Sequence, residues 1–314
     1  MKHLLPLVLT LIYNLNSTAQ YNYYQDATQA ELYDNPSFAG ADSTLQARLN
    51  YNNTASNIIG GNAYQQAHLY LDKGIVLKNK DLIGIGVGAN RDVAGESRFG
   101  VTTISLLGAY HKQLSSNTSM RHYLSLGTGL SFSRQHLGDG DLRWPSQIDP
   151  NTGFDPAIPS GEELATVYYL GVDLGLSYSA RWQNKQFATV GIAIQDINQP
   201  NLSFYDESDA PLGRTTILSM RGRLNISAQL YTEPSIRYIT QAQGSLVNIG
   251  NSLGYHISER SSVMLGLATH DHSRYSVNVG TNIRNTRIML IYGWTGSGAF
   301  AAKAYELAVG YGLR

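Results

Sequence analysis

Histidine beside aspartate and serine, and aspartates spaced by one residue, are the side chains here that could do chemistry. His270-Asp271-His272-Ser273 is the densest group. Alternation would place His270 and His272 on one strand face, as a metal pair or a His–Asp couple requires. The run joins two strand-like segments, however, and a polar turn accounts for it more economically. Asp139-Gly140-Asp141 offers close oxygen ligands for calcium but lacks the further spaced carboxylates and closing Glu of a calcium loop. It reads as solvated loop. His68, His111, His122, His136 and His256 stand singly and read as interfacial or loop histidines. Gly84-Ile85-Gly86-Val87-Gly88 has dinucleotide-type glycines, but they lie within a strand and no helix follows. No catalytic, cofactor or metal site is expected.

Composition narrows the classes further. The 314 residues carry 31 glycines, 21 tyrosines, no cysteine, and 23 basic against 23 acidic residues. Zero net charge leaves no electrostatic footprint for nucleic acid. Without cysteine there is neither a disulfide nor a thiolate nucleophile.

The elements that must position these residues follow one rhythm. Ile83, Ile85, Val87 and Ala89 share one face of a period-two strand, while Gly84, Gly86, Gly88 and Asn90 share the other. A turn at Arg91–Ser97 leads into a second strand reaching Tyr110, long enough to cross a bilayer when tilted. The rhythm recurs in Leu124–Phe132, in Tyr168–Tyr178 and in Tyr305–Leu313. Tyr168 and Tyr178 bracket an aliphatic band as an aromatic girdle would.

Strands are expected at Thr44–Tyr51, Ala63–Leu71, Leu82–Asn90, Arg98–Leu114, Arg121–Gln135, Leu164–Arg181, Gln186–Ile197, Arg214–Ile226, Gln229–Thr240, Ser245–Ile257, Ser262–His270, Tyr275–Ile283, Thr286–Trp294 and Lys303–Leu313. The fold class is all-β: a transmembrane antiparallel β-barrel of about fourteen strands, twelve being the alternative count. Residues 1–19 read as a cleaved signal peptide, with a basic start, an apolar run and Ser17-Thr18-Ala19 before Gln20. Residues 20–43 read as an entry or plug-like segment, and 44–314 as the barrel.

Three expectations concern the lumen and the loops. The glycine face should tolerate polarity, so Gly127 or Gly175 to Ser should be milder than a charge at Leu126 or Leu174. Arg221, Arg223 and Arg237 should pair across the lumen with Asp173 and Glu306. The long connections Leu137–Glu163 and Asn198–Gly213 should face outside, opposite short turns such as Asn184-Lys185 and Ser227-Ala228.

On specific motifs the chain resembles the PorP/SprF family of outer-membrane proteins from the type IX secretion and gliding system of Bacteroidota. The motifs are Asn35-Pro36-Ser37-Phe38-Ala39-Gly40, Gly84–Gly88 leading to Asn90-Arg91-Asp92-Val93-Ala94-Gly95, Ala109-Tyr110-His111, Leu124-Ser125-Leu126-Gly127, Val190-Gly191-Ile192 followed by Gln199-Pro200, and Glu233-Pro234-Ser235-Ile236. Two departures stand out. Leu49-Asn50-Tyr51-Asn52 replaces the family's Arg-x-Gln-Trp, and Ala304-Tyr305-Glu306 replaces its Ser-His-Glu.

The resemblance implies a non-enzymatic outer-membrane component beside the type IX translocon. Its implied partners are outer-membrane lipid, type IX components, and either a peptidoglycan-binding lipoprotein or a secreted surface protein such as an adhesin. Residues suited to partner contact are Asn35, Pro36, Phe38 and Gly40 at the inner end, and Asp139, Asp141, Trp144, Asp149 and Asp155 in the long loop. A general porin or small-solute channel is the alternative function for such a barrel.

Overall fold

In hydrocarbon, strands can satisfy every backbone group only by closing on themselves, and alternation then sets one face toward lipid and the other toward the lumen. The computed structural model describes residues 30–55, 57, 64–95, 98–116, 119–136, 145–149, 153–155, 157–158, 166–183, 185–204, 209–242, 244–271, 273–296 and 302–313. The signal-peptide reading of 1–19 lies outside them.

A closed antiparallel barrel forms from β1 (Leu45–Thr54), β2 (Tyr64–Val76), β3 (Leu82–Ala94), β4 (Phe99–Ser116), β5 (Met120–His136), β8 (Thr166–Trp182), β9 (Phe187–Gln195), β10 (Thr215–Asn225), β11 (Leu230–Gln241), β12 (Gly244–Ser258), β13 (Ser261–His270), β14 (Arg274–Ile283), β15 (Thr286–Thr295) and β16 (Lys303–Leu313). The count is fourteen, and every expected strand is present. The long connection between β5 and β8 contributes a two-rung ladder of β6 (Ile148–Asp149) and β7 (Gly153–Phe154).

The barrel closes where β1 pairs with β16, Leu45 opposite Leu313. Both of the chain's departures from the family pattern meet at this seam. Asn50 Nδ2 donates to Glu306 Oε1 at 3.0 Å, and Asn50 Oδ1 lies 3.0 Å from His68 Nε2.

Alternation decides inside from outside. Leu126 is 61% exposed to the surroundings while its neighbour Ser125 is 3% exposed. The outer face carries leucine, isoleucine and valine between aromatic ends. Phe132 and Tyr168 stack at 5.8 Å near one end, Tyr178 and His122 meet at 5.9 Å near the other, and Tyr275, Trp294, Tyr292 and Tyr305 form a continuous aromatic group. Such a band, about 25 Å tall, matches the hydrocarbon layer.

The two ends differ. Short turns such as 183–186, 226–229, 259–260 and 284–285 lie at the end where β1 begins and β16 finishes. The long connections after β5 and β9 lie at the opposite end. In barrels of this class the short turns face the periplasm and the long loops face outward.

A plugged lumen as the candidate functional site

Residues 30–42 run inside the barrel. Glu31–Asp34 form a single helical turn, α1, and Pro36–Phe38 form a 3-10 turn. Neither is long enough to be stable alone. Asn35 joins them: its side-chain oxygen accepts from the Ser37 backbone N–H at 2.9 Å, and Pro36 follows it with a fixed φ. What holds the segment is the wall.

The wall supplies a partner to nearly every residue in turn. Gln195 of β9 donates to the Tyr33 carbonyl at 2.6 Å, and Asn35 Nδ2 donates to the Ile192 carbonyl at 3.2 Å. Ser37 Oγ donates to Ser177 Oγ of β8 at 2.8 Å. The Gly40 N–H donates to Asp72 Oδ2 of β2 at 2.8 Å, and Arg181 of β8 donates to the Ala41 carbonyl at 3.0 Å and to Asp42 at 2.9 Å. His111 Nε2 of β4 lies 2.8 Å from the Ala39 carbonyl, so the ring proton must sit on that nitrogen, leaving Nδ1 to accept from Ser125 Oγ at 2.8 Å.

Charge fixes the other end of the segment. Glu31 bridges Arg48 of β1, at 2.8 Å, and Arg221 of β10; Asp34 pairs with Arg237 of β11 at 2.9 Å; Arg48 also reaches Asp72. Leu32, Phe38 and Ala39 pack on Tyr70, Leu107 and Ala109 in a small apolar core, with the Arg221 guanidinium 5.2 Å over the Phe38 ring. Burying Leu32 and Phe38 contributes about 1.5–3 kcal/mol each.

The inward glycines are the seat of this plug. A Cβ on Gly84 would overlap the Ala39 carbonyl oxygen. On Gly127 it would overlap Pro36 and Ser37, on Gly175 it would overlap Asn35 Oδ1, and on Gly191 it would press on Asn35 and Phe38. The expectation that this face is merely thin and tolerant of serine is therefore corrected: plug backbone lies against Gly84 and Gly127, and plug side chains lie against Gly175 and Gly191.

Two further expectations change. Arg221, Arg223 and Arg237 do not pair with Asp173 and Glu306. They take Glu31, Glu233 and Asp34 instead, because those carboxylates stand nearer on the plug and on β11. The Asp173 carboxylate accepts from the Asp196 N–H at 3.0 Å. His68 and His111 are not interfacial or loop residues: both are buried in the lumen. His270 is fully buried beside Asn248 and Ser276, and Asp271 accepts from the Val247 N–H at 2.8 Å as a turn residue does; His272 lies outside the described residues.

Of the residues expected to touch a partner, Asn35, Pro36, Phe38 and Gly40 are buried between plug and wall, with Asn35 only 1% exposed. Their contacts are intramolecular, so a partner cannot rest on them directly. Asp149 is half-buried in β6 and Asp155 is exposed just beyond β7, where its N–H donates to the Gln147 carbonyl at 2.9 Å. One small ladder thus brings these two together. Asp139, Asp141 and Trp144 lie outside the described residues.

Sequence reasoning missed Glu31, Asp34, Arg48 and Asp72. Arg48 and Asp72 sit at inward positions of their strands, so parity marked them as lumen groups, but nothing local revealed what they hold.

The plug divides the lumen. Toward the loops lies a cavity of about 810 Å³, lined by Tyr33, Tyr70, Tyr169, Asp92, Asp173 and Asp196 among others. Burial, and then the neighbouring Asp173 charge, pushes the Asp196 carboxyl up to about 7. Toward the termini lies a second cavity of about 470 Å³ rich in arginine.

A closed fourteen-stranded barrel with an apolar outer band, aromatic ends and an internal plug is an outer-membrane-type β-barrel protein. Within that class, the chain belongs to the family described as type IX secretion system membrane protein PorP/SprF, whose model matches residues 16–311. No curated protein matches it in sequence. Among solved structures it is similar to the Pseudomonas putida toluene transporter TodX, at 11% identity and a TM-score of 0.52 over 94% of this chain and 95% of that one. It is also similar to the monoaromatic hydrocarbon channel CymD, at 12% identity and 0.47 over 93% and 94%. A Pseudomonas aeruginosa FadL homologue follows at 11% identity and 0.44 over 93% and 95%. At such identities the likeness to TodX is one of fold.

Proposed function

We propose that this protein is a non-enzymatic, plugged outer-membrane barrel that works beside the type IX secretion machinery in bringing a secreted protein, such as an adhesin, to the cell surface and keeping it there. The observation that carries the reading is the plug. Glu31 and Asp34 tie residues 30–42 to β1, β10 and β11 through buried ion pairs, so the lumen is built as a filled support. A solute channel needs a continuous path that is easily entered and left.

Contact with the surface protein falls on the long loops after β5 and β9, where Asp139, Asp141, Trp144, Asp149 and Asp155 remain the candidates. Rigid scaffolds present their binding residues on such loops. Deletion should abolish surface display of one or a few secreted proteins while leaving outer-membrane integrity intact, and the purified barrel should not conduct ions steadily in planar bilayers. Normal display in the deletion strain, together with loss of uptake of a small solute and steady conductance, would establish the channel alternative instead.

A further inference from the structure

We infer that the cavity at the terminus-bearing end of the lumen is a docking site for an acidic peptide segment of a periplasmic partner. The inference rests on the secretion-associated reading for the kind of assembly involved and goes beyond it in naming a site and its chemistry. The cavity, about 470 Å³, is lined by six cationic side chains: Arg48, Arg181, Lys185, Arg221, Arg223 and Arg287. Its described lining holds three carboxylates, Glu31, Asp42 and Glu233.

All three carboxylates are already engaged. Glu31 is shared by Arg48 and Arg221, Glu233 is shared by Arg223 and Arg287, and Asp42 is held by Arg181. Arg48 also reaches Asp72 just behind the lining, so two positive charges remain in excess over the carboxylates that the lining residues engage. Arg221 Nε is buried with no acceptor.

The other cavity shows the opposite balance. Asp92, Asp173 and Asp196 line it, and its described lining includes no lysine, arginine or histidine. The lumen thus becomes more positive toward the periplasmic mouth, and a low-dielectric wall focuses that field on whatever approaches from the short-turn end.

The chemistry of the lining selects the ligand. Guanidinium forks match carboxylates in bidentate geometry. Trp182 and Phe187 provide apolar surface beside them, which suits a chain carrying both acidic and apolar side chains better than a bare inorganic anion. Lipid headgroups are separated from the site by the strand wall. Among the described residues, Lys185 stands exposed at the edge of this cavity.

The test uses the full chain in lipid nanodiscs and two fluorescent decapeptides, one alternating glutamate with leucine and one alternating lysine with leucine. The glutamate peptide should bind, and raising salt from about 50 to 500 mM should weaken it at least tenfold. Lys185→Glu, in an exposed turn and outside the described ion pairs, should weaken it about tenfold, as should Arg181→Gln. Asp196→Asn, in the opposite cavity, should leave it unchanged.

Equal binding of the lysine peptide, undiminished binding by Lys185→Glu, or loss on Asp196→Asn would overturn the assignment. Complete displacement by 1 mM inorganic phosphate would also overturn it, making the cavity a small-anion site. The outcome is separable from the functional reading. If deletion abolishes surface display but the glutamate peptide does not bind, only the docking site fails; if the peptide binds but display survives deletion, the secretion reading fails.

Discussion

Arg237 Nη1 donates to Asp34 Oδ2 at 2.9 Å, joining the plug to β11 through two side chains that are 1% and 3% exposed. Taking two charges out of water is costly, and their attraction repays the cost only while both are present. Asp34→Ala should therefore destabilise the protein by about 3–5 kcal/mol, since it removes the carboxylate that offsets a buried guanidinium. Asp34→Leu with Arg237→Met should lie much closer to the wild type. Urea unfolding in lipid vesicles, followed by tryptophan fluorescence, would measure both; a double variant as weak as the single one would show that the pair is not the anchor.

Close approach at Gly127 makes a second prediction. Its added Cβ would meet Pro36 and Ser37 backbone atoms, which cannot swing aside as a long side chain can. Gly127→Ser should cost about 1–3 kcal/mol through overpacking, and Gly127→Val more. Both should raise bilayer conductance and open residues 30–42 to proteolysis. Conductance and cleavage matching the wild type would mean that the plug does not seat on this strand.

The outer face is tested by charge. Leu126 and Leu174 both point to lipid, at 61% and 44% exposed. Arginine at either site should impair assembly by about 2–4 kcal/mol near the bilayer midplane. The readout is the fraction of heat-modifiable, folded barrel recovered in membranes, and a full yield from both variants would contradict the assigned alternation.

A pH dependence follows from Asp196, whose carboxyl is raised from the usual 3.8 to about 7 by burial and the Asp173 charge. The folded state then holds a proton that the unfolded chain releases, so the unfolded state binds fewer protons and stability falls as pH rises. The contribution is fully present below about pH 4 and is lost as pH passes about 7. The hydrogen-exchange protection factor in the connection after β9, corrected for the intrinsic base-catalysed rate, should be larger at pH 5 than at pH 8, and Asp196→Asn should remove most of that difference. A wild-type difference that persists in the variant would assign the effect elsewhere.

The sequence alone determined the barrel, a count of about fourteen strands with twelve left open, and the resemblance to the family, because each depends on local order. Side-chain alternation along a strand is fixed by backbone geometry, so Leu126 outward and Ser125 inward could be read without any partner in view. Turn residues and strand lengths set the ends in the same way.

Only the tertiary structure decided what fills the lumen. Asp34 and Arg237 are 203 residues apart, and Ser37 and Ser177 are 140 apart; no local pattern encodes which inward residue meets which. Gly127 and Gly175 looked alike as small inward residues whether they faced water or a backbone. Their role appeared only when closure of β1 on β16 brought the wall around residues 30–42, where buried polar groups are costly unless a partner stands within reach.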